Sequence, residues 1–315
     1  MNKKTRNSIF DLLRIVLTLL VVNVHIRIIT GVKPNFLEPF TWVSVPLFIV
    51  LSFFLTGNSS LKERIRRLFR PLVFWSAIGF AIHPDLINLK NIFQQMATGH
   101  VVNTPLYYLV LLIWFTLINW IINKFPKSFK IIVYLLIIST ALFLEYSSLN
   151  YNFFFPMMTV VEKSYGRFVE LIKYVPVGLA FGYLIKKISN KNIYLILSVS
   201  FLIIFFAVSK ITVPPDFHFS GLITLTGSIS IFSFILFLTF LKINDRLKNI
   251  INLLGKYSFG VYLLHYLLLE ILLKIYPKTK FFITALPIHF LIIFVSACYF
   301  FSHFFYRIKV QLIKV

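Results

Sequence analysis

Apolar runs of roughly 20 residues, the length a helix needs to cross a hydrocarbon core, recur along the chain and are joined by short basic loops. In lipid every backbone N–H and C=O has to be satisfied internally, so runs of this kind fold as helices. The spans read as Ile9–Thr30, Phe40–Gly57, Pro71–His83, Pro105–Asn123, Lys130–Leu149, Ile172–Lys186, Asn192–Lys210, Ser220–Leu241, Tyr257–Lys274 and Phe281–Tyr306. Two of them, Pro71–His83 and Ile172–Lys186, are short enough for a tilted or partly re-entrant path. Composition agrees: 58% of the 315 residues are hydrophobic, against about 45–50% in an ordinary soluble domain. The expected fold is an all-α integral membrane protein of about ten transmembrane helices, forming one polytopic domain over residues 1–315.

The net charge of +22 would suit a nucleic-acid partner if it covered a soluble face. Here the basic residues sit in short loops between apolar runs, which excludes that partner and points to topology signals instead. With the N-terminus placed in the cytoplasm, the clusters Lys3 to Arg6, Lys62 to Arg70, Lys124 to Lys130, Lys186 to Lys191, Lys242 to Lys256 and Arg307 to Lys314 all fall on the inner side. Both termini are then cytoplasmic. The first run is too long for a signal peptide and no small-residue cleavage site follows it, so it is expected to remain as the first membrane helix. The single cysteine, Cys298, lies in an apolar run and offers neither a disulfide nor a metal pattern; it reads as a small packing residue.

Within the first run, Phe10 to Thr30, stand Asp11, Arg14 and His25, with Arg27 at its far edge. Such groups are costly at membrane depth and mark function or a paired structural role. At 100° per residue, His25 returns to nearly the face of Arg14, about 16 Å further along the axis. Asp11 lies one turn before Arg14 on the same face. A neutral imidazole there can act as a general base toward a sugar hydroxyl attacking a thioester, or can simply bridge helices. Arg14 has a second reading too, since its long side chain can snorkel to the interface.

Two further segments carry polar faces. In KERIRRLFR, Arg66, Arg67 and Arg70 share one face of a helix. Guanidinium forks bind phosphate bidentately, and coenzyme A is a cytoplasmic molecule with a diphosphate and a 3′-phosphate; a basic anchor against anionic lipid has the same composition. In LLGKYSFGVYLLHYLLLE, Ser258, Tyr262 and His265 fall at i, i+4 and i+7, where they would line a substrate path or bond between helices. Lesser features are the G-x-x-x-G pair Gly178 and Gly182, a helix-packing pattern; the lone hydroxyl of Ser52; and Glu145 and Glu270 near span ends. The outer segment Asn150–Leu171 mixes aromatics with Glu162, Arg167 and Glu170, which suits either sugar binding or an interfacial loop. The segment Pro84–Thr104 has the amphipathic character of a helix lying along the interface. No H-E-x-x-H, P-loop, nucleophile elbow or dinucleotide fingerprint occurs, so no metal or tightly bound cofactor is expected.

Five segments together resemble the membrane acyltransferase 3 family of bacterial glycan O-acyltransferases. FDLLRIVLTLLVVNVH resembles the family's first helix, with Arg14 and His25 in place. VPLFIVLSFFLTG resembles its second, with Ser52 matched. RRLFRP supplies the R-x-x-R motif as Arg67 and Arg70; TPLYYLVLLI resembles the P-L-W-F-L stretch; LGKYSFGVYLLH matches the late segment at Ser258, Tyr262 and His265. Phe53 stands where the family usually has glycine, and Tyr107 where it usually has tryptophan. No esterase-like domain follows the membrane part, as in the compact members.

The resemblance implies acyl-coenzyme A as cytoplasmic donor, acetyl-coenzyme A before succinyl-coenzyme A, and a cell-surface or lipid-linked glycan hydroxyl as acceptor. It implies His25 as catalytic base, with Arg14, Arg66, Arg67 and Arg70 toward the donor, and the bacterial plasma membrane as location. Asp11, Ser52, Tyr107, Ser258, Tyr262 and His265 are secondary site candidates, the last three as donors to a tetrahedral oxyanion. The competing readings are an exporter or flippase for a polysaccharide or lipid-linked sugar without acyl chemistry, and a scaffold among other cell-envelope synthesis proteins.

Overall fold

The structure is a computed structural model that describes residues 7–31, 38–41, 43–55, 60–98, 101–102, 104–126, 128–133, 135–136, 139, 188, 190–211, 221–241 and 243–313. Among them there are helices and no strands. The helices are α1 (Ser8–Thr30), α2 (Glu38–Thr41), α3 (Ser44–Phe54), α4 (Leu61–Ile82), α5 (Leu89–Thr98), α6 (Tyr107–Ile122), α7 (Lys191–Ile211), α8 (Gly221–Leu238), α9 (Asp245–Ile275), α10 (Thr279–Ala285) and α11 (Pro287–Ile313), with short 3₁₀ turns at Pro84–Leu86 and Thr104–Leu106. By length and hydropathy, α1 and α9 are each sufficient to cross a membrane. Parts of α6, α7, α8 and α11 form shorter apolar helices. The span Ile172–Lys186, most of Lys130–Leu149, the outer segment Asn150–Leu171 and the Gly178–Gly182 pair lie outside the described residues.

The chain divides into two compact units, Met1–Ser44 with Ile235–Val315, and Val45–Phe234. In the first, α9 packs on α1 along one side and on α11 along another. Val22 and Ile26 of α1, Val261 and Leu269 of α9, Ile283 of α10, and Phe290, Phe294, Val295 and Cys298 of α11 make a continuous core. Cys298 is fully buried there as a packing residue. In the second unit, α4 packs on α6, Phe48 of α3 meets Tyr108 of α6 with ring centroids 5.9 Å apart, and Ser230 of α8 donates to the Ser198 carbonyl of α7 at 2.8 Å. On α7, Ile196, Val199, Ile203 and Phe206 face outward, as lipid contact requires.

Local chemistry sets the helix limits. Asn7 caps α1 by accepting from the Ile9 N–H at 3.0 Å. Gly31 ends the same helix in the left-handed conformation, φ 68°, and its N–H reaches the Arg27 carbonyl at 2.8 Å. Three limits differ from the hydropathy reading. Ser60 accepts from the Glu63 N–H at 3.3 Å, an S-x-x-E start, so the helix begins at Leu61 and carries the arginines and Pro71 within it. Asn244 caps α9 at Arg246 N–H, 2.9 Å, so that helix starts twelve residues before Tyr257. The last apolar run breaks after Leu286, because Pro287 has no N–H to continue the preceding helix and instead opens α11.

Candidate active site

Two contacts set the direction of α1 against α9. Asp11 of α1 lies against Gly255 of α9, and His25 of α1 meets His265 of α9. Residue numbers rise together along both helices, so α1 and α9 run parallel. At the far contact, His25 Nδ1 and His265 Nε2 are 2.7 Å apart in a buried hydrogen bond. The rings lie 4.9 Å apart with an interplanar angle of 29°. Tyr266 sets its ring edge-on to His25 at 5.5 Å. His265 Nδ1 lies 3.3 Å from the Val261 carbonyl. His265 is 0% exposed and His25 7%.

At the near contact, Asp11 and Arg14 form an ion pair one helical turn apart. The Asp11 carboxylate is fully buried, and the Arg14 side chain remains 32% exposed. A buried carboxylate of this kind needs its partner, and Gly255 is what makes room for it: a Cβ there would stand 2.5 Å from Asp11 Cβ. Thr18 adds a back-bond to the Arg14 carbonyl at 2.8 Å. The sequence-predicted polar line Asp11, Arg14, His25 therefore lies on α1, with Asp11 and His25 both turned toward α9.

The third predicted face, Ser258, Tyr262 and His265, is buried throughout. Ser258 can donate to the Leu254 carbonyl at 3.2 Å and shares a hydrogen bond with the Tyr299 hydroxyl at 3.1 Å, in which either oxygen can be the donor, tying α9 to α11. Tyr262 packs its ring 5.9 Å from that of His265. Residue-type patterns did not single out Tyr299 or Tyr266, nor the contact of Tyr257 O–H with His303 Nδ1 at 2.8 Å. One of 15 tyrosines in apolar helices has no signature until its neighbour is known.

The remaining candidates belong to the second unit and are described apart from the histidines. Arg66 and Arg70 of α4 are exposed, while Arg67 pairs with Glu63 one turn earlier. Their neighbour Arg64 is half-buried; burial pushes its guanidinium below its ordinary value, and Tyr108 acts in the opposite direction. The spacing argument passed over Arg64 because it lies off the Arg66–Arg70 face. Ser52 is half-buried in α3, and Tyr107 is buried at the start of α6. Among the described residues no cluster of three or more His, Cys, Asp or Glu has the arrangement of a metal site.

What unit one offers chemically is a neutral-capable imidazole on α1, backed by a second imidazole and an aromatic edge. A charge-balanced pair stands lower on the same helix. A family model described as an acyltransferase domain matches residues 7–306. No curated protein and no solved structure matches the chain.

Proposed function

The chain belongs to the acyltransferase 3 family, a membrane protein family of acyl transfer to hydroxyl acceptors, and from that premise we propose that it moves an acetyl group from acetyl-coenzyme A to a hydroxyl of a cell-surface or lipid-linked glycan. The observation that carries this reading is the buried contact of His25 on α1 with His265 on α9, because a general base has to be held in one orientation where water is scarce. In the proposed reaction His25 takes the proton of the glycan hydroxyl as its oxygen bonds to the thioester carbonyl carbon. The C–S bond then breaks, and the proton passes from His25 to the departing coenzyme A thiolate. Arg66, Arg67 and Arg70 hold the donor phosphates from the cytoplasmic face, and Arg14, with about a third of its side chain exposed, meets the pantetheine–diphosphate end. Acetyl-coenzyme A, or succinyl-coenzyme A in its place, is a cosubstrate and not a resident group. The same reading places the chain in the bacterial plasma membrane as one domain of ten spans, with both termini in the cytoplasm.

The test follows labelled acetyl groups from acetyl-coenzyme A into glycan, beside release of free coenzyme A, in membranes holding equal amounts of wild type and His25→Ala. Incorporation is expected in wild type and a fall of about 10²- to 10⁴-fold in the variant, the usual contribution of a positioned base. Undiminished incorporation by inserted His25→Ala would move the base elsewhere. No incorporation by wild type from either acetyl- or succinyl-coenzyme A would sink the enzyme reading.

A further inference from the structure

We propose that Tyr266 and Glu270 of α9 form the acceptor subsite, in which the Tyr266 ring packs against a sugar ring and the Glu270 carboxylate accepts hydrogen bonds from its hydroxyls. The proposal rests on the acyl-transfer reading above and deepens it: that reading gives residues to the donor and to the base, and this one gives residues to the glycan.

Position is the first ground. Tyr266 lies against His25, with ring centroids 5.5 Å apart and planes at 87°. Glu270 and Lys274 follow at i+4 and i+8, so the three residues share one side of α9. They climb about 6 Å per step from the level of the histidines toward the end of the helix at Ile275. With the N-terminus in the cytoplasm, as proposed above, that climb leads outward, to the side from which a cell-surface or lipid-linked glycan arrives.

Exposure changes along the same stretch. Val261, Tyr262, His265, Leu267 and Leu269 are buried, whereas Tyr266 and Glu270 are half-buried. These two therefore stand at the margin of the packed face of α9, where a ligand can reach them and where Tyr266 still touches the proposed base.

The chemistry selects the ligand. Glu270 interrupts the leucine-rich run Leu267–Leu273, and an ionisable group in such a run is costly enough to mark function. Lys274 Nζ reaches Glu270 Oε1 at 3.3 Å, but its own side chain is 54% exposed, and an i,i+4 pair of that kind contributes little. An ionised carboxylate accepts at two oxygens, about four positions in all, and its bonds from hydroxyls are short and strong. It suits a ligand built of hydroxyls and repels a phosphate headgroup. An aromatic face, negative at its centre, takes the C–H face of a sugar. The two groups lie one turn apart, so one saccharide unit spans both while its reacting hydroxyl points to His25.

The experiment uses the full chain in lipid nanodiscs and, as acceptor, envelope glycan from the cells that make the protein, stripped of acetyl esters by mild base. Binding is measured by co-sedimentation without acetyl-coenzyme A, and labelled acetyl transfer is measured against glycan and against acetyl-coenzyme A. Glu270→Gln is expected to weaken binding and raise KM for glycan about 10- to 100-fold, the range for lost hydrogen bonds to a charged group, with KM for acetyl-coenzyme A unchanged. Tyr266→Leu is expected to raise KM for glycan about 3- to 10-fold, the range for a lost aromatic contact, and to lower kcat through its contact with His25. Lys274→Gln removes the ion pair but keeps the carboxylate, and is expected to stay within about 3-fold of wild type. Equal effects of Glu270→Gln and Lys274→Gln would overturn the proposal by reducing Glu270 to a salt-bridge partner. Wild-type KM for glycan in Glu270→Gln, with acyl transfer intact, would overturn it and leave the function standing. Glycan binding that depends on Glu270 without acyl transfer by wild type would keep the subsite and sink the function. No glycan binding by wild type would overturn the subsite. If Tyr266→Leu does not insert, the isosteric Glu270→Gln still decides.

Discussion

Substituting Gly255 by alanine puts a methyl group where Asp11 already stands. The added carbon would lie 2.5 Å from Asp11 Cβ, 2.7 Å from Cγ and 3.0 Å from Oδ1. Carbon atoms in contact settle at about 3.5–4.0 Å, so the helices have to part by about 1 Å at this level. The side chain offers little relief. Asp11 Cβ is bonded directly to the α1 backbone, and Oδ1 is held by Arg14. Overpacking of this kind costs about 1–3 kcal/mol, which is roughly a 5- to 150-fold change in an equilibrium constant at about 1.4 kcal/mol per tenfold. The same displacement travels along α1 to His25, and a misplacement of about 1 Å at a reacting group can cost about 10²-fold in rate. Gly255→Ala is therefore expected to lower both the unfolding midpoint of detergent-solubilised protein and kcat for acyl transfer. Leu253→Ala, on an exposed part of the same helix, is the control and is expected to stay within about 0.5 kcal/mol of wild type. A Gly255→Ala protein with the midpoint and kcat of the control would refute the close approach of α1 and α9.

Two further outcomes are expected in the second unit. Because Glu63 competes for Arg67, Glu63→Gln is expected to lower KM for acetyl-coenzyme A and Arg67→Ala to raise it, with little change in unfolding midpoint, since an exposed i,i+4 pair contributes only about 0.3–0.5 kcal/mol; equal KM values in steady-state assays of both variants would take Arg67 out of donor binding. Gln95 is fully buried; its amide donates to Ser76 Oγ at 3.1 Å and accepts from the N–H groups of Val101 and Val102 at 2.6 and 3.1 Å. Gln95→Leu leaves those two N–H groups without that acceptor and is expected to destabilise by about 1–3 kcal/mol, read by chemical unfolding; an unchanged midpoint would mean that the amide contributes nothing net.

What could be read from the chain in advance followed from local geometry. The 100° step placed Asp11, Arg14 and His25 on one line, and Asp11 and His25 do both meet α9. The same step put Ser258, Tyr262 and His265 on one face, and all three are buried. Hydropathy failed at helix starts for a physical reason: it detects where a helix is apolar, and α4 and α9 begin in polar turns before their apolar stretches. The Ser60–Glu63 and Asn244 caps mark those polar starts. The meeting of His25 with His265, 240 residues apart, was not legible. Each histidine looked equally suited to bonding any neighbouring helix, and only the packing of α1 on α9 selects the partner. Ser258 shows the converse: its position was foreseen, but the direction of its proton depends on Leu254 and Tyr299.

The two contacts between α1 and α9 differ in kind, and the difference explains why both are needed. A glycine opposite Asp11 lets the backbones come close, as small residues do wherever apolar helices pack in lipid. Ten residues further along α9 the interface is instead filled by two imidazoles. Burying the Asp11 carboxylate with Arg14 contributes little to stability by itself, because desolvation offsets the attraction. Its value lies in register. A slip of one residue along α1 would turn its inward face by about 100°, carry the carboxylate out of the space at Gly255 and swing His25 away from His265. The Asp11–Gly255 contact penalises that slip at one level and the histidine bond at the other. Orientation of the His25 ring is thus set by the fit of the whole helix pair, and a perturbation at Gly255, far along the axis from His25, is transmitted to the base through the rigid helix that carries it.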